Sequence, residues 1–236
     1  MKFENKTVVV TGIGRVGQVG EAVARAFAEQ GALVVLVARR IEEAEQQAAA
    51  LVRSRHRATA HGCDLTDERA VAALAGEVAE IAGGRIDALV NLAGGFAMSG
   101  PVADSSPEVW QQQFAINLTT AYLATRAFLP LLRPARGSVL FVSSATVLPG
   151  ARGARMSAYA AAKSGVLALM RAVAEEERDA GVRANAVAPI AIRTASNLAA
   201  TGEGTRYVER EAVADALVFL CSDAAWAVSG ETIRLE

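Results

Sequence analysis

Cysteine is scarce in this 236-residue chain: only Cys63 and Cys221 occur, far apart and with no Cys/His cluster near either. That excludes a disulfide scaffold, gives no metal-ligand set, and makes a reducing, cytoplasmic setting the simplest expectation. Proline numbers 6 and glycine 20, too few for a collagen-like chain. Neither sign of charge dominates, since 24 basic side chains face 25 acidic ones. Such a surface lacks the broad field that nucleic acid or an anionic membrane would select, so a small-molecule partner is expected. Long hydrophobic runs are missing too. Stretches such as Leu33 to Ala38 are short, and Met1 to Lys6 lacks the apolar core of a secretory signal, so no membrane segment is expected. What is abundant is dispersed apolar residue, 52% of the chain, which excludes disorder and supplies a sizeable core.

Short β-branched runs alternate with longer Ala/Glu/Arg stretches of helical period, the pattern of repeated β-α-β units. Strands are predicted at Thr7 to Val10, Leu33 to Ala38, Ala58 to Cys63, Ala88 to Leu92, Ser138 to Val142, Arg183 to Ala188 and Thr232 to Leu235. Runs such as Val8-Val9-Val10 do not alternate with polar residues, so both faces should be covered. The expected fold is therefore α/β: a Rossmann-like, doubly wound, seven-stranded parallel sheet in a three-layer α/β/α sandwich. Helices are predicted near Glu21 to Gln30, Ile41 to Ser54, Glu68 to Ala82, Pro107 to Leu132, Ser157 to Asp179 and Arg210 to Leu220. Ser106-Pro107-Glu108 is a helix start, Gly31 a helix stop, and Pro130 and Pro134 are read as ending the long fourth helix. No repeat or Pro/Ser-rich linker divides the chain, so one domain spanning 1–236 is expected, with Ala195 to Tyr207 as its most mobile loop.

Directly after the first strand, Thr11-Gly12-Ile13-Gly14-Arg15-Val16-Gly17-Gln18-Val19-Gly20 leads into a helix. Glycines at a strand-to-helix switch let the backbone approach a pyrophosphate, whose charge the free amides of the helix start stabilise. A plain glycine-rich turn is the bland alternative. The second strand ends Ala38-Arg39-Arg40, where an acidic residue would hold the adenosine ribose hydroxyls and an arginine a 2′-phosphate. With Ala38 in the acid's place, Arg39 and Arg15 favour NADP(H), NAD(H) remaining possible; Arg39 and Arg40 could also be a solvated helix start.

Tyr159 and Lys163 stand four apart, on one helix face. A phenol exchanges protons poorly near neutrality unless an adjacent ammonium favours the phenolate. Alone, this spacing suits any amphipathic helix. Ser143 and Ser144 end one apolar strand, however, Asn91 ends another before Leu92-Ala93-Gly94-Gly95, and Asn117 interrupts an apolar helix. Each could be a turn or core polar residue, but ligands of open parallel sheets bind beyond the carboxyl ends of strands, where Asn91 and the serines project.

On these pieces, together with Cys63-Asp64-Leu65, Asn185 to Pro189 and Ile192-Arg193-Thr194, the chain resembles the short-chain dehydrogenase/reductase family over nearly its whole length. It is most similar to the 3-oxoacyl carrier-protein reductase-like branch. The resemblance implies reversible hydride transfer between a nicotinamide and a carbonyl or secondary alcohol. Tyr159 would exchange the proton, Ser144 hold the reacting oxygen, Lys163 lower the phenol's pKa and hold the ribose, and Asn117 position a water relay. Asp64 and Leu65 would contact the adenine. Asn91, Ala93 and Gly94 would line the cofactor cleft, with Pro189, Ile192 and Thr194 at the nicotinamide. A homodimer or homotetramer is implied, packed through Ala160, Ala161, Ala162, Gly165 and Ala168.

Departures from the family pattern matter as well. Aligned from the helix, Gly20 takes the third glycine place and Gln18 the second, with two extra residues after Gly12; Gly12-Ile13-Gly14-Arg15-Val16-Gly17 is the other register. Ser143 competes with Ser144, and Thr146 has the commoner spacing to Tyr159. Ile190 follows Pro189 where relatives often have glycine. The substrate segment, about 195–209, is short and the Asp-Gly-Gly tail is missing, so the pocket should be open or completed by a neighbour. Gly95, Phe96, Met98 and Ser196 to Tyr207 are candidate pocket residues; Arg152 and Arg155 read first as a solvated loop, with attraction of an anionic substrate or carrier as the alternative. The competing function is a nucleotide-binding sensor or structural subunit that keeps the fold without turnover.

Overall fold

The computed structural model describes residues 2–151 and 153–236, so the reading of Arg152 falls outside the described residues. Seven parallel strands form the central sheet: β1 (Thr7–Thr11), β2 (Leu33–Ala38), β3 (Arg57–Gly62), β4 (Ala88–Asn91), β5 (Ser138–Val142), β6 (Arg183–Pro189) and β9 (Thr232–Leu235). Their spatial order is β3-β2-β1-β4-β5-β6-β9, so the winding reverses between β1 and β4. A crevice opens beyond the carboxyl ends of strands at such a reversal. Thr11 and Asn91 are register partners at that point.

Both sheet faces are buried, as the unbroken apolar runs require. Val8, Val10, Val34 and Leu36 pack beneath α1 (Val19–Glu29), α2 (Ile41–Arg53) and α8 (Arg210–Cys221). Val9, Val35, Val37 and Leu89 pack on the other side, against α3 (Glu68–Ile81), α5 (Thr120–Leu132) and α6 (Ser157–Glu176). Each fully buried Val or Leu contributes about 1.5–3 kcal/mol relative to exposure, so a charge placed at Val9 would dismantle the sandwich.

The helix predicted from Pro107 to Leu132 is composite. The α4 helix (Pro107–Phe114) begins where Ser106 Oγ accepts the Glu108 and Val109 amides at 3.1 and 3.4 Å. It passes through a wider, π-helical turn at Ala115–Thr119 into α5. Pro130 does not end this helix; it lies inside α5, which runs to Leu132, with Pro134 in the short turn that follows. Pro130 and Arg126 face solvent, so water can satisfy the carbonyl that the missing proline N–H leaves free. The expected mobile loop after β6 is also structured. It holds β7 (Ala191–Ile192), α7 (Ala195–Thr201) and β8 (Tyr207–Val208), with β7 and β8 paired in parallel. Thr194 caps α7 by accepting the Asn197 amide at 3.2 Å, which stabilises a helix too short to persist alone. Among the described residues, no helix is long and apolar enough to cross a membrane.

Candidate active site

The glycine turn follows the register counted back from the helix. A Cβ on Gly20 would collide with the backbone of Ile13, so Gly20 lets α1 approach the turn. A Cβ on Gly12 (φ +70) would collide with the backbone of Ala93, so Gly12 draws the turn against the end of β4. The two extra residues are absorbed by left-handed Gly14 and Gly17, around which space is open. Val19 starts α1, and Gln18 before it makes no side-chain cap, leaving the first-turn amides directed outward. Glu21 reaches back to accept the Gly17 amide at 2.8 Å and is held in turn by Arg25 and Arg210.

Two amides outside the predicted set shape this end of the cleft. Gln47, buried on α2, donates to the Gly14 carbonyl at 2.7 Å, and its own side-chain oxygen has no partner. Gln18 Oε1 accepts the Ser196 hydroxyl at 3.2 Å, tying the turn to α7. A helix-borne glutamine such as Gln47 reads as solvated surface in a sequence, and Gln18 was marked only as standing in a glycine's place.

At the end of β2 the cations divide unequally. Arg40 and Arg15 both face Glu43, Arg15 at 3.8 Å, whereas Arg39 is exposed and pairs with no carboxylate among the described residues. Arg39 still contributes to holding Asp64 below the usual carboxylate range, after the larger effect of the Thr66 hydroxyl and amide. Leu65 is buried in the core.

Beyond β4 and β5 the polar residues converge. Asn91 donates to Thr125 Oγ1 at 3.2 Å while its own oxygen has no partner. The π-helical turn aims Asn117 at the backbone of Gly95, accepting its amide at 3.1 Å and donating to its carbonyl at 2.9 Å. Such turns recur at functional sites. Gln113 clamps Asn117 from one turn earlier through its carbonyl and side-chain oxygens at 3.0 and 3.2 Å. A Cβ on Gly94 would stand 2.6 Å from Asn117 Oδ1 and 3.3 Å from Lys163 Nζ, so Gly94 is where these two side chains meet the cleft wall.

The adjacent serines separate cleanly. Ser143 turns into the core and donates to the Lys163 carbonyl at 2.9 Å, whereas Ser144 lies 2.8 Å from the Thr146 hydroxyl and is near enough to the Tyr159 phenol to favour its ionised form. Lys163 is buried, donates to the Val142 carbonyl at 2.8 Å and stands 5.9 Å from the centroid of the Tyr159 ring. Burial lowers its pKa to about 8. Burial pushes the Tyr159 phenol up, opposed by the Ser144 hydroxyl. Phe96 packs edge-on to Tyr159 at 5.0 Å and is itself half exposed, as is Met98, so apolar surface borders the phenol on the open side.

Pro189 ends β6 and Ile192 lies in β7, its carbonyl taking the Asn197 side-chain amide at 2.8 Å. Arg155 contributes backbone to the site's rim, its carbonyl accepting the amides of Ser99 and Gly100 at 2.9 and 3.1 Å. The small residues of α6 do not form one free stripe. Ala162 is buried and Gly165 packs against Leu118 of the same chain, leaving Ala168 outward. Burial raises the Cys63 thiol to about 11 and the Cys221 thiol to about 12, so both stay protonated near neutrality.

A family model described as Enoyl-(Acyl carrier protein) reductase matches residues 12–236. The chain is 34% identical to meso-2,3-butanediol dehydrogenase of Serratia marcescens, covering 100% of this chain and 95% of that protein. It is 38% identical to (5R,7aS)-5-hydroxy-7a-methyl-1-oxo-2,3,5,6,7,7a-hexahydro-1H-indene-carboxyl-CoA reductase of Mycobacterium tuberculosis, over 99% of this chain and 92% of the relative. A solved short chain dehydrogenase from Mycobacterium smegmatis superposes with a TM-score of 0.86 at 33% identity, over 100% of this chain and 93% of that one. With the parallel sheet, the switch-point crevice and these likenesses together, the chain belongs to the short-chain dehydrogenase/reductase family of oxidoreductases.

Proposed function

We propose that the chain is an NADP(H)-dependent oxidoreductase acting on a small carbonyl or secondary alcohol, with Tyr159 as the general acid/base. The observation that carries this reading is the convergence of Ser144, Tyr159 and a buried Lys163 beyond the carboxyl end of β5. The cleft fits a nicotinamide dinucleotide: Gly12 and Gly94 keep the wall free of side chains where a Cβ would obstruct it, and left-handed Gly14 and Gly17 keep the turn open. Gly12, Gly14, Gly17 and Val19 would surround the pyrophosphate, and Arg39, with Arg15, the 2′-phosphate. Asp64 and the Leu65 backbone would meet the adenine, and Asn91, Ala93 and Gly94 would line the cleft. Lys163 would hold the ribose, with Pro189, Ile192 and Thr194 beside the nicotinamide. When bound, that ring exchanges the hydride.

The chain's own residues supply a proton and a position for the oxygen. Because burial raises its pKa, Tyr159 is protonated near neutrality and suited to donating its phenolic proton as a carbonyl becomes an alcohol. Ser144 holds the phenol and, with it, the reacting oxygen. Lys163, at about 8, exchanges protons close to working pH and can restore the donor. Asn117 fixes the Gly95 backbone beside them.

Assay of NADPH oxidation against diketones, quinones, ketosteroids and β-ketoacyl thioesters identifies the substrate class. Tyr159→Phe is expected to abolish turnover while retaining NADPH binding; surviving turnover overturns the mechanism. A homodimer or homotetramer is part of the proposal, supported by the exposed Trp110 and Tyr122 on α4 and α5. A monomer by light scattering at micromolar concentration would refute it.

A further inference from the structure

The end of the sheet opposite Tyr159 carries a second concave site. A cleft of about 400 Å³ opens where the chain enters β6 and β9, lined by Arg136, Arg171, Arg178 and Arg183 against one carboxylate, Glu175, with Trp226 at its edge. That volume falls within the range of small-molecule clefts, about 300–1,000 Å³. The cations are not consumed by ion pairs. Of the nearby carboxylates, Glu177 is held by Arg133 at 2.7 Å and Asp223 by Lys6 at 3.2 Å, while none of the four arginines pairs with a carboxylate among the described residues.

Arg183 is half buried and gives its hydrogen bonds to neutral acceptors only: the Val228 carbonyl at 3.1 Å, Ser138 Oγ at 2.8 Å and the Ser222 carbonyl at 3.4 Å. Asp223 offsets that charge only at longer range, and a cation taken partly from water without a direct ion-pair partner favours an anion brought from outside. Arg136 is held at unusual local cost. Its backbone is left-handed (φ 51), and its guanidinium lies over left-handed Gly181, where a Cβ would stand 2.5 Å from Arg136 Nε. Strain of this kind clusters at ligand sites. Trp226, 79% exposed, offers an indole face of the sort on which flat rings stack.

We propose that this cleft binds a nucleoside phosphate, the arginines taking the phosphate oxygens and Trp226 the base, at a site separate from the catalytic cleft. Guanidinium forks match phosphate geometry, and the aromatic neighbour selects a ring-bearing phosphate over a bare one. The proposal does not depend on the catalytic reading, because none of these residues belongs to that site.

The test is titration with ADP, adenosine and inorganic phosphate, followed by calorimetry and by tryptophan fluorescence, the chain having two tryptophans. ADP is expected to quench Trp226 with a dissociation constant below about 1 mM, with adenosine and inorganic phosphate each about 10-fold weaker. The double variant Arg171→Glu/Arg178→Glu should weaken that binding about 30-fold or more, and Trp226→Phe should remove the optical signal. Weakened ADP binding in Arg171→Glu/Arg178→Glu with an unchanged KM for NADPH separates this site from ADP binding in the catalytic cleft. NADPH turnover by the charge-reversed variant reports separately on the enzyme. Unchanged ADP affinity in that variant, or adenosine binding as tightly as ADP, would overturn the proposal; tighter binding of inorganic phosphate than ADP would remove the role given to Trp226.

Discussion

Ser143 Oγ donates to the backbone carbonyl of Lys163 across 2.9 Å, tying the end of β5 to the helix that carries the candidate acid/base. Its neighbour Ser144 faces the phenol instead. Just past β5 the backbone stays extended at Ser144, where adjacent side chains point to opposite sides, so the two serines divide structural and chemical work. Ser143→Ala is expected to cost about 1 kcal/mol of stability, the usual value of one hydrogen bond, with kcat little changed. Ser144→Ala, which loses its contacts with Thr146, should cost a similar amount of stability but also lower kcat by about 100-fold, the scale for losing one donor to a developing oxyanion. Chemical denaturation and steady-state kinetics on the pair check this; the reverse pattern would reassign the serines.

Much of this arrangement was legible before any coordinates. Asn91 and Ser144 stand at the carboxyl end of the sheet, and the largely apolar runs of β1, β2, β4 and β5 point to parallel packing and hence to that working end. Which serine turns inward was not legible, since it depends on the register between β5 and α6. The π-helical turn at Ala115–Thr119 was hidden because one extra residue in a turn barely disturbs helical period. Strands β7 and β8 have two residues each, too few to show alternation, and Gly202 and Gly204 made the α7 region resemble a loop. Gln113 and Gln47 were invisible for a different reason: only tertiary packing tells a buried amide from a solvated one.

Lys163 gives the fold a pH signature. Its folded-state pKa of about 8 lies below the ordinary 10.5, so between those values the folded chain binds fewer protons than the unfolded chain. Stability attributable to this group therefore rises with pH across that window, and the burial penalty is fully present below about pH 8. Lys163→Met removes the penalty, about 3 kcal/mol, but also the hydrogen bond to Val142, about 1 kcal/mol. The variant should be more stable than the parent at pH 7, and the advantage should vanish and then reverse by pH 10.5 to 11. Denaturant midpoints at the two pH values measure the difference, and a pH-independent difference would contradict it.

Cofactor selection should rest on Arg39 more than Arg15. Arg15 shares Glu43 with Arg40, whereas Arg39 keeps its charge available at the end of β2. A hydrogen bond to a charged group contributes about 1.5–3 kcal/mol, so Arg39→Ala should weaken NADPH binding by about 10- to 100-fold and leave NADH nearly unaffected. Arg15→Ala should have a smaller effect in the same direction. Fluorescence titration with both cofactors decides it, and equal losses for NADH and NADPH would remove the 2′-phosphate assignment.

Gly94 brings the cleft wall against two of the site's polar side chains. Alanine there would press a methyl to 2.6 Å from Asn117 Oδ1 and 3.3 Å from Lys163 Nζ. Asn117 has little room to retreat, because Gly95 and Gln113 hold it on both sides. Either Asn117 gives up its bonds to Gly95 or the Gly94 segment shifts outward; overpacking of this kind costs about 1–3 kcal/mol. Both responses move groups beside Lys163, so Gly94→Ala should also lower kcat at least about 10-fold. Gly76→Ala is the matching control: Gly76 is exposed within α3, its added methyl meets nothing within 4 Å, and the helix should gain about 0.5–1 kcal/mol. Opposite shifts in melting temperature, with activity lost only in Gly94→Ala, are the expected result; a Gly94→Ala enzyme of parental stability and turnover would mean that the cleft wall yields more easily than its hydrogen bonds imply.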